Sequence, residues 1–166
     1  WMFHNIHPHE GENFCSKIMR RIMFYISDNI ISHSKEAASY ARKYAKCKVD
    51  YICHPIPQTL IGEWNKPLID CDIFIWGRIT PYKGIVEFLN SCKEKLSDKK
   101  ILILGECKDE KLADNIKNIA VNNVLFLDRQ ASFEEIAAYV RNSKFTVFPY
   151  VGNSISSSGV LLDTLV

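Results

Sequence analysis

Three stretches of the chain combine residue types able to bind or transform a ligand. In GRITPYKG (residues 77–84), Gly77 lets backbone approach a ligand closely, Arg78 offers a planar fork of donors, and Lys83 adds a point charge at the far end. Two cations in one loop suit a diphosphate and can neutralise it as a leaving group without a metal. A basic surface loop would carry the same residues. In NSISSSGVLLD (residues 153–163), a Ser/Gly-rich segment opens a helix, so backbone N–H groups and the helix dipole favour an anion. Any capped helix start shares that pattern, and it gains weight only beside the first loop. In HNIHPHE (residues 4–10), His4, His7, His9 and Glu10 fall within seven residues, a donor set that suits zinc and a metallohydrolase. They lie on an irregular segment with no second cluster of ligands, so a single histidine orienting substrate by hydrogen bonding competes with the metal reading. His33 and His54 each stand alone after separate strands.

These loops need elements to position them. The hydrophobic spacing predicts a short strand over Trp1–Phe3, a helix over residues 13–26 with a basic strip, a strand at 29–32, a helix at 35–47 capped by Ser34, and a strand at 49–53. Pro55, Pro57 and Gly62 break regularity to about residue 69, which reads as a linker. Strands then alternate with helices: 72–76, helix 85–96, strand 100–104, helix 109–119, strand 124–127, helix 133–142, strand 145–148, and a final helix from about Ser158. Ser132 with Glu135 has the capping-box spacing. Such alternation implies βαβ units and a parallel sheet covered on both faces. Ligands of such sheets bind beyond the carboxyl ends of the strands, which directs attention to the loops after Trp76, Leu104, Leu127 and Phe148. The expected architecture is α/β: two partial Rossmann-like domains, residues 1–54 and 70–166, joined by a Pro-rich linker at 55–69.

Bulk properties exclude several classes. With 47% hydrophobic and 24% charged residues among 166, the chain is globular rather than disordered. A net charge of +2 is too small to imply nucleic acid. The charge is uneven, however, and Lys17, Arg20 and Arg21 lie beside Ile18, Met19, Ile22 and Met23, a pattern that fits either peripheral contact with anionic lipid or packing on the protein's own sheet. The apolar runs are too short to span a bilayer. The six cysteines show no CxxC spacing and read as reduced and structural, which fits a cytoplasmic protein. GxGxxG, GxxxxGK[ST] and GxSxG are all absent from the sequence, which removes support from dinucleotide dehydrogenases, P-loop enzymes and nucleophile-elbow hydrolases. The opening Trp1, in place of Met, suggests an excised segment.

Taken together, the motifs resemble the family 4 glycosyltransferases of the GT-B fold. MFHNIHPHE resembles the family's TxHN segment, DNIISHSKEAASYARK its "ad-ii-hS" strand and helix, IFIWGRITPYKGIVEFL its phosphate-loop signature, and VLFLDRQASFEEIAAYVRNSKFTVFPY the elements leading to the donor loop. SGVLLDTL resembles the donor-binding helix. The resemblance covers almost the whole chain and implies the middle of a GT-B enzyme, truncated at both ends. It implies that Arg78 and Lys83 bind the donor diphosphate, and that the N–H groups of Ser158, Gly159 and Val160 assist. It further implies that His4 lies near the transferred sugar, and that Leu127, Asp128 and Arg129 lie near the nucleoside base. It implies sugar transfer with retention, without metal or other cofactor. The donor would be a nucleotide-diphosphate sugar and the acceptor a glycan or lipid-linked molecule at the inner membrane face, as in surface polysaccharide synthesis. One departure stands out. Family members often carry two glutamates separated by seven residues around the donor helix. Aligned from Gly159, Ser156 and Thr164 occupy those places; aligned from Asp163, Ile155 and Asp163 do. A degenerate, non-catalytic binder is the alternative this raises.

Overall fold

A computed structural model describes residues 1–3, 6, 13–53, 55, 67, 69–120, 122–151 and 159–164. The chain divides into two compact units, Trp1–Pro55 with Gly152–Gly159 in one and Ile56–Val151 with Val160–Val166 in the other.

In the first unit, Asn13 and Ser34 start the helices α1 (Phe14–Ile26) and α2 (Lys35–Tyr44), their side chains accepting from the N–H groups of Ser16 and Ala37. Each cap satisfies one of the donors a helix start leaves without a partner. The strands β1 (Asn29–Ser32) and β2 (Lys48–Tyr51) pair in parallel, Asn29 opposite Lys48 and Ser32 opposite Tyr51. Ala37, Ala38 and Ala41 on α2 are fully buried, and these small side chains let the helix approach Ile30 and Val49 of the sheet. The strand expected at the start of the chain reduces to a single parallel bridge between Met2 and Ile31. On α1 only Phe24 is buried, while Phe14, Ile18, Met19, Ile22, Tyr25 and Ile26 are exposed. The Arg20 guanidinium donates to the Ile6 carbonyl and lies 5.6 Å from the centroid of the Tyr40 ring.

The second unit is a four-stranded parallel sheet in the order β5-β4-β3-β6, formed by β3 (Ile73–Trp76), β4 (Ile101–Leu104), β5 (Val124–Leu127) and β6 (Phe145–Thr146). All eight residues of β3 and β4 are buried, as expected for central parallel strands covered on both faces. The two-residue period of a strand sorts them. Ile73, Ile75, Ile101 and Ile103 face Ile85 and Leu89 of α3 (Ile85–Cys92) and Ile116 of α4 (Glu110–Ile119). Phe74, Trp76, Leu102 and Leu104 face Ile136 and Tyr139 of α5 (Phe133–Asn142). At about 1.5–3 kcal/mol for each buried large apolar side chain, this core outweighs the exposed ion pairs, each worth about 0–1 kcal/mol. A 3₁₀ turn, Pro81–Lys83, precedes α3, and a short helix, α6 (Gly159–Thr164), closes the described chain.

Several expected boundaries move. The helix after Ser34 ends at Tyr44 rather than residue 47, and the strand after it spans Lys48–Tyr51 rather than 49–53. The helix after Gly84 ends at Cys92 rather than Leu96, because Lys93, Glu94 and Lys95 are exposed and have no core to face. The last strand pairs over two residues instead of four, with one further bond from the Val147 N–H to the Phe74 carbonyl. Of the six cysteines, which form no disulfide, only Cys71 is buried, and Cys15 and Cys53 are exposed. Cys47 and Cys107 are half-buried and pack against the cores of the first and second unit.

Candidate functional site

Three loops meet beyond the carboxyl ends of β3, β4 and β5. Gly77 follows β3 with φ +101°, a conformation that favours glycine. A Cβ there would lie 3.2 Å from Val160 of α6 and 3.4 Å from Lys83 Nζ. Gly105 follows β4, and a Cβ on it would sit 2.0 Å from the Gly77 carbonyl oxygen. The two loops therefore touch backbone to backbone, which no larger residue allows. The contact continues as a bridge between Ile79 and Cys107, with the Ile79 N–H donating to the Glu106 carbonyl at 2.9 Å. From the third loop, Asp128 accepts from the Cys107 N–H at 2.8 Å. Thus pinned, the loops enclose a cleft of about 250 Å³ lined by Trp76, Gly77, Arg78, Leu104, Gly105, Glu106, Gln130, Ala131 and Ile136.

The two cations expected to act together occupy different places. Arg78 is exposed and lines the cleft. Lys83 is buried, 4% exposed, under Gly77. Its Nζ donates to the Tyr150 hydroxyl at 3.1 Å and lies 4.8 Å from the centroid of that ring. Burial pushes its pKa down, opposed only in part by Tyr82. An ammonium held in such surroundings gains from any anion that reaches it. The Thr80 hydroxyl in the same loop is buried and has no hydrogen-bond partner among the described residues.

The residues expected near a nucleoside base each have a contact within the second unit. Asp128 holds Cys107, and Arg129 forms a two-pronged pair with Glu135 at 2.8 and 2.5 Å. Leu127 packs in the core beside Leu104. From that loop it is Gln130 and Ala131 that line the cleft. Ser132 caps α5 as expected, accepting from the Glu135 N–H, but the Glu135 carboxylate faces Arg129. On α6, Val160 packs against Gly77 and Asp163 is half-buried. Thr164 accepts from the Trp76 indole at 3.1 Å and donates to the Val160 carbonyl at 2.8 Å. The hydroxyl of Thr164, one of the two positions the sequence offered for the second glutamate of the pair, is thus spent on holding α6 to β3. His4, His7, His9, Glu10 and Ser158 lie outside the described residues, so the metal alternative does as well. Trp76, Glu106, Gln130 and Tyr150 were not singled out by the sequence. Their one advance signal was position, since each ends or closely follows a strand.

No family model matches the sequence, and no curated protein is similar to it. Solved structures do share its fold. Anabaena HepE in complex with UDP superposes with a TM-score of 0.68 at 13% identity, over 99% of this chain and 50% of that one. The same protein with UDP and glucose gives 0.70 at 12%, with the same coverage. An α,α-trehalose-phosphate synthase (UDP-forming) from Burkholderia vietnamiensis gives 0.58 at 11%, over 79% of this chain and 42% of that one. The chain therefore has an α/β fold of the GT-B type, built of partial Rossmann-like parallel sheets, and spans about half the length of HepE.

Proposed function

We propose that the second unit binds the nucleotide-diphosphate-sugar donor of a retaining glycosyltransferase of family 4 type. The observation that carries this is Lys83, a buried ammonium fixed under Gly77 at the floor of the loop whose Arg78 lines the cleft. An ammonium loses hydration energy when buried, and a fold retains one at such a loop where an anion repays that cost. Arg78 and Lys83 bind the donor diphosphate, with the N–H groups at Ser158, Gly159 and Val160 assisting. As an acceptor hydroxyl forms the new bond to the anomeric carbon, the bond from that carbon to the phosphate oxygen breaks. The nucleoside diphosphate leaves with the electron pair, and these cations stabilise its charge. In this reading His4 adjoins the sugar, Leu127, Asp128 and Arg129 belong to the nucleoside side, and no metal takes part. The acceptor is a glycan or lipid-linked molecule of a surface polysaccharide, met at the cytoplasmic membrane face, with the basic, apolar α1 as the peripheral contact. That HepE and the trehalose-phosphate synthase share the fold, the one bound to UDP and the other UDP-forming, supports the donor class. The engagement of Thr164 by Trp76 favours a second reading, a degenerate binder that holds nucleotide without turnover.

Calorimetry of the intact protein with nucleoside diphosphates, with and without EDTA, tests the site. Binding that survives EDTA and is lost in the Arg78→Ala/Lys83→Ala variant is the expected result. Absence of binding to every diphosphate refutes both readings. Binding without hydrolysis or transfer of any nucleotide sugar, in the presence of glycan and lipid-linked acceptors, selects the degenerate one.

A further inference from the structure

The cleft has two chemically different ends. Arg78 and Lys83 follow β3, whereas Glu106 follows β4 and Gln130 follows β5. In the order β5-β4-β3-β6, that places the amide of Gln130 two strand spacings, about 10 Å, from the cationic loop. The half-buried Glu106 is pinned on both sides. The Gly105 N–H donates to the Leu127 carbonyl at 3.1 Å, the Glu106 carbonyl accepts from the Ile79 N–H at 2.9 Å, and the Cys107 N–H donates to Asp128 at 2.8 Å. Its carboxylate accepts from Gln130 Nε2 at 3.5 Å. Among the described residues it forms no ion pair, and of the cations in the two flanking loops Arg129, after β5, is held by Glu135, while Arg78, after β3, lines the same cleft.

A carboxylate in a cleft built for an anion repels its ligand unless the ligand brings donors to it. It accepts hydrogen bonds and donates none, while the Gln130 amide beside it has an N–H to spare. The pair thus offers two acceptor oxygens next to one donor. Among the common nucleobases, guanine alone presents two adjacent N–H donors flanked by a carbonyl on its pairing edge. Uracil has one N–H between two carbonyls, so it would set a carbonyl oxygen against the carboxylate, and this mismatch discriminates by repulsion as well as by the lost bond.

We propose that Glu106 and Gln130 read the base of the donor nucleotide and select guanine, making the donor a GDP-sugar. The inference rests on the donor-site reading above. It departs from the UDP seen in HepE, a protein at 13% identity whose base contacts need not be shared.

Calorimetric titration of the intact protein with GDP and with UDP, in the wild type and in Glu106→Gln, decides it. Circular dichroism and the thermal midpoint confirm that the variant is folded. GDP is expected to bind the wild type about 10-fold or more tightly than UDP. The variant should lose about that factor for GDP while leaving UDP unchanged or tighter. Equal or tighter UDP binding by the wild type overturns the inference and leaves the donor site standing. So does a Glu106→Gln variant that weakens both nucleotides by one factor, which would assign the carboxylate to a ribose or sugar diol. Unchanged GDP binding by the variant overturns it as well. Failure of both nucleotides to bind the wild type removes the donor site itself.

Discussion

Replacing Lys83 with Met separates what the ammonium does for the ligand from what it does for the fold. Met keeps most of the length and volume of the side chain but removes its charge and donor. Binding should fall steeply. A unit charge about 4 Å from a phosphate oxygen at an effective dielectric near 20 contributes about 4 kcal/mol, and sharing with Arg78 and counter-ions leaves about 3 kcal/mol, roughly a 100-fold loss. The apoprotein should hardly change. The substitution relieves the burial of a charge that is only 4% exposed, and it forfeits the contact with Tyr150, worth about 0.5–2 kcal/mol. These oppose each other, leaving a net effect within about 1 kcal/mol. The pH dependence provides an independent check. Burial lowers the Lys83 pKa below its ordinary 10.5 in the folded state. Between the two values the unfolded chain holds a proton that the folded chain has released, so wild-type stability gains a contribution that rises with pH through that window. Lys83→Met should lack it. Urea unfolding across neutral to alkaline pH, alongside calorimetry with the bound nucleoside diphosphate, measures both. A variant that loses more than about 2 kcal/mol of stability yet binds diphosphate normally would make Lys83 a structural residue and refute the reasoning.

Three further outcomes follow from contacts in the same unit. Thr164→Val leaves the Trp76 indole N–H without its acceptor and should cost about 1–3 kcal/mol in urea unfolding, with a change in tryptophan fluorescence; an unchanged midpoint and spectrum would show that α6 is not anchored there. Gly105→Ala sets a methyl 2.0 Å from the Gly77 carbonyl oxygen, so the loops must part. Thermal stability and diphosphate binding should then fall together in differential scanning and calorimetric assays. Asp72 accepts from the Lys100 N–H at 2.9 Å and pairs with Lys144 at 2.6 Å. The Lys144 hydrogen bond, followed by that from Lys100, holds its pKa below the ordinary 3.8. Its contribution is therefore complete above pH 3.8 and lost as pH falls through the lower folded value. In acid-unfolding curves Asp72→Asn should be less stable at neutral pH and show a shallower decline across that acid range.

The parts of the fold legible in the sequence are those whose signal is local. Ile73–Trp76 and Ile101–Leu104 are unbroken apolar runs between breakers, and both are fully buried strands. Ser34 and Ser132 are polar residues at the head of periodic segments, and both cap helices. Boundaries set by tertiary contact were not legible. Trp1–Phe3 is apolar enough for a strand, yet its pairing with β1 is a single bridge from Met2 to Ile31, and Phe3 is held instead by packing against Phe24. The site divides in the same way. Gly77, Arg78 and Lys83 were identified because they share one short motif. The partnership of Lys83 with Tyr150 joins residues 67 apart, and that of Gln130 with Glu106 residues 24 apart. Periodicity reports which loop follows which strand, but which side chain of that loop turns into the cleft depends on what its neighbours already hold. Asp128 and Arg129 carry the more conspicuous chemistry, and both are occupied by Cys107 and Glu135. The plainer Gln130 is the residue left facing the cleft.

That arrangement gives the cleft a polarity that restricts its ligand more sharply than either end alone. Positive charge lies after β3, reinforced on the β6 side by the Lys83 ammonium held at Tyr150, and negative charge lies at Glu106 after β4. An anion without donors, such as inorganic pyrophosphate, satisfies the first end and is repelled by the second. A neutral sugar satisfies the second and leaves the buried ammonium uncompensated. Only a molecule with an anion at one end and N–H or O–H donors at the other satisfies both, and a nucleoside diphosphate has that asymmetry. The backbone contact between Gly77 and Gly105 fixes the separation of the two ends, so the discrimination is set by the sheet rather than by mobile side chains. Nucleoside diphosphate should therefore bind more tightly than pyrophosphate by more than the apolar contact of a base with Trp76, Leu104 and Ile136 supplies. Glu106→Gln should narrow that gap by strengthening pyrophosphate binding, since it removes the repulsive charge. Pyrophosphate that binds the wild type as tightly as the nucleotide would place the whole affinity at the cationic end and leave Glu106 without a role in recognition.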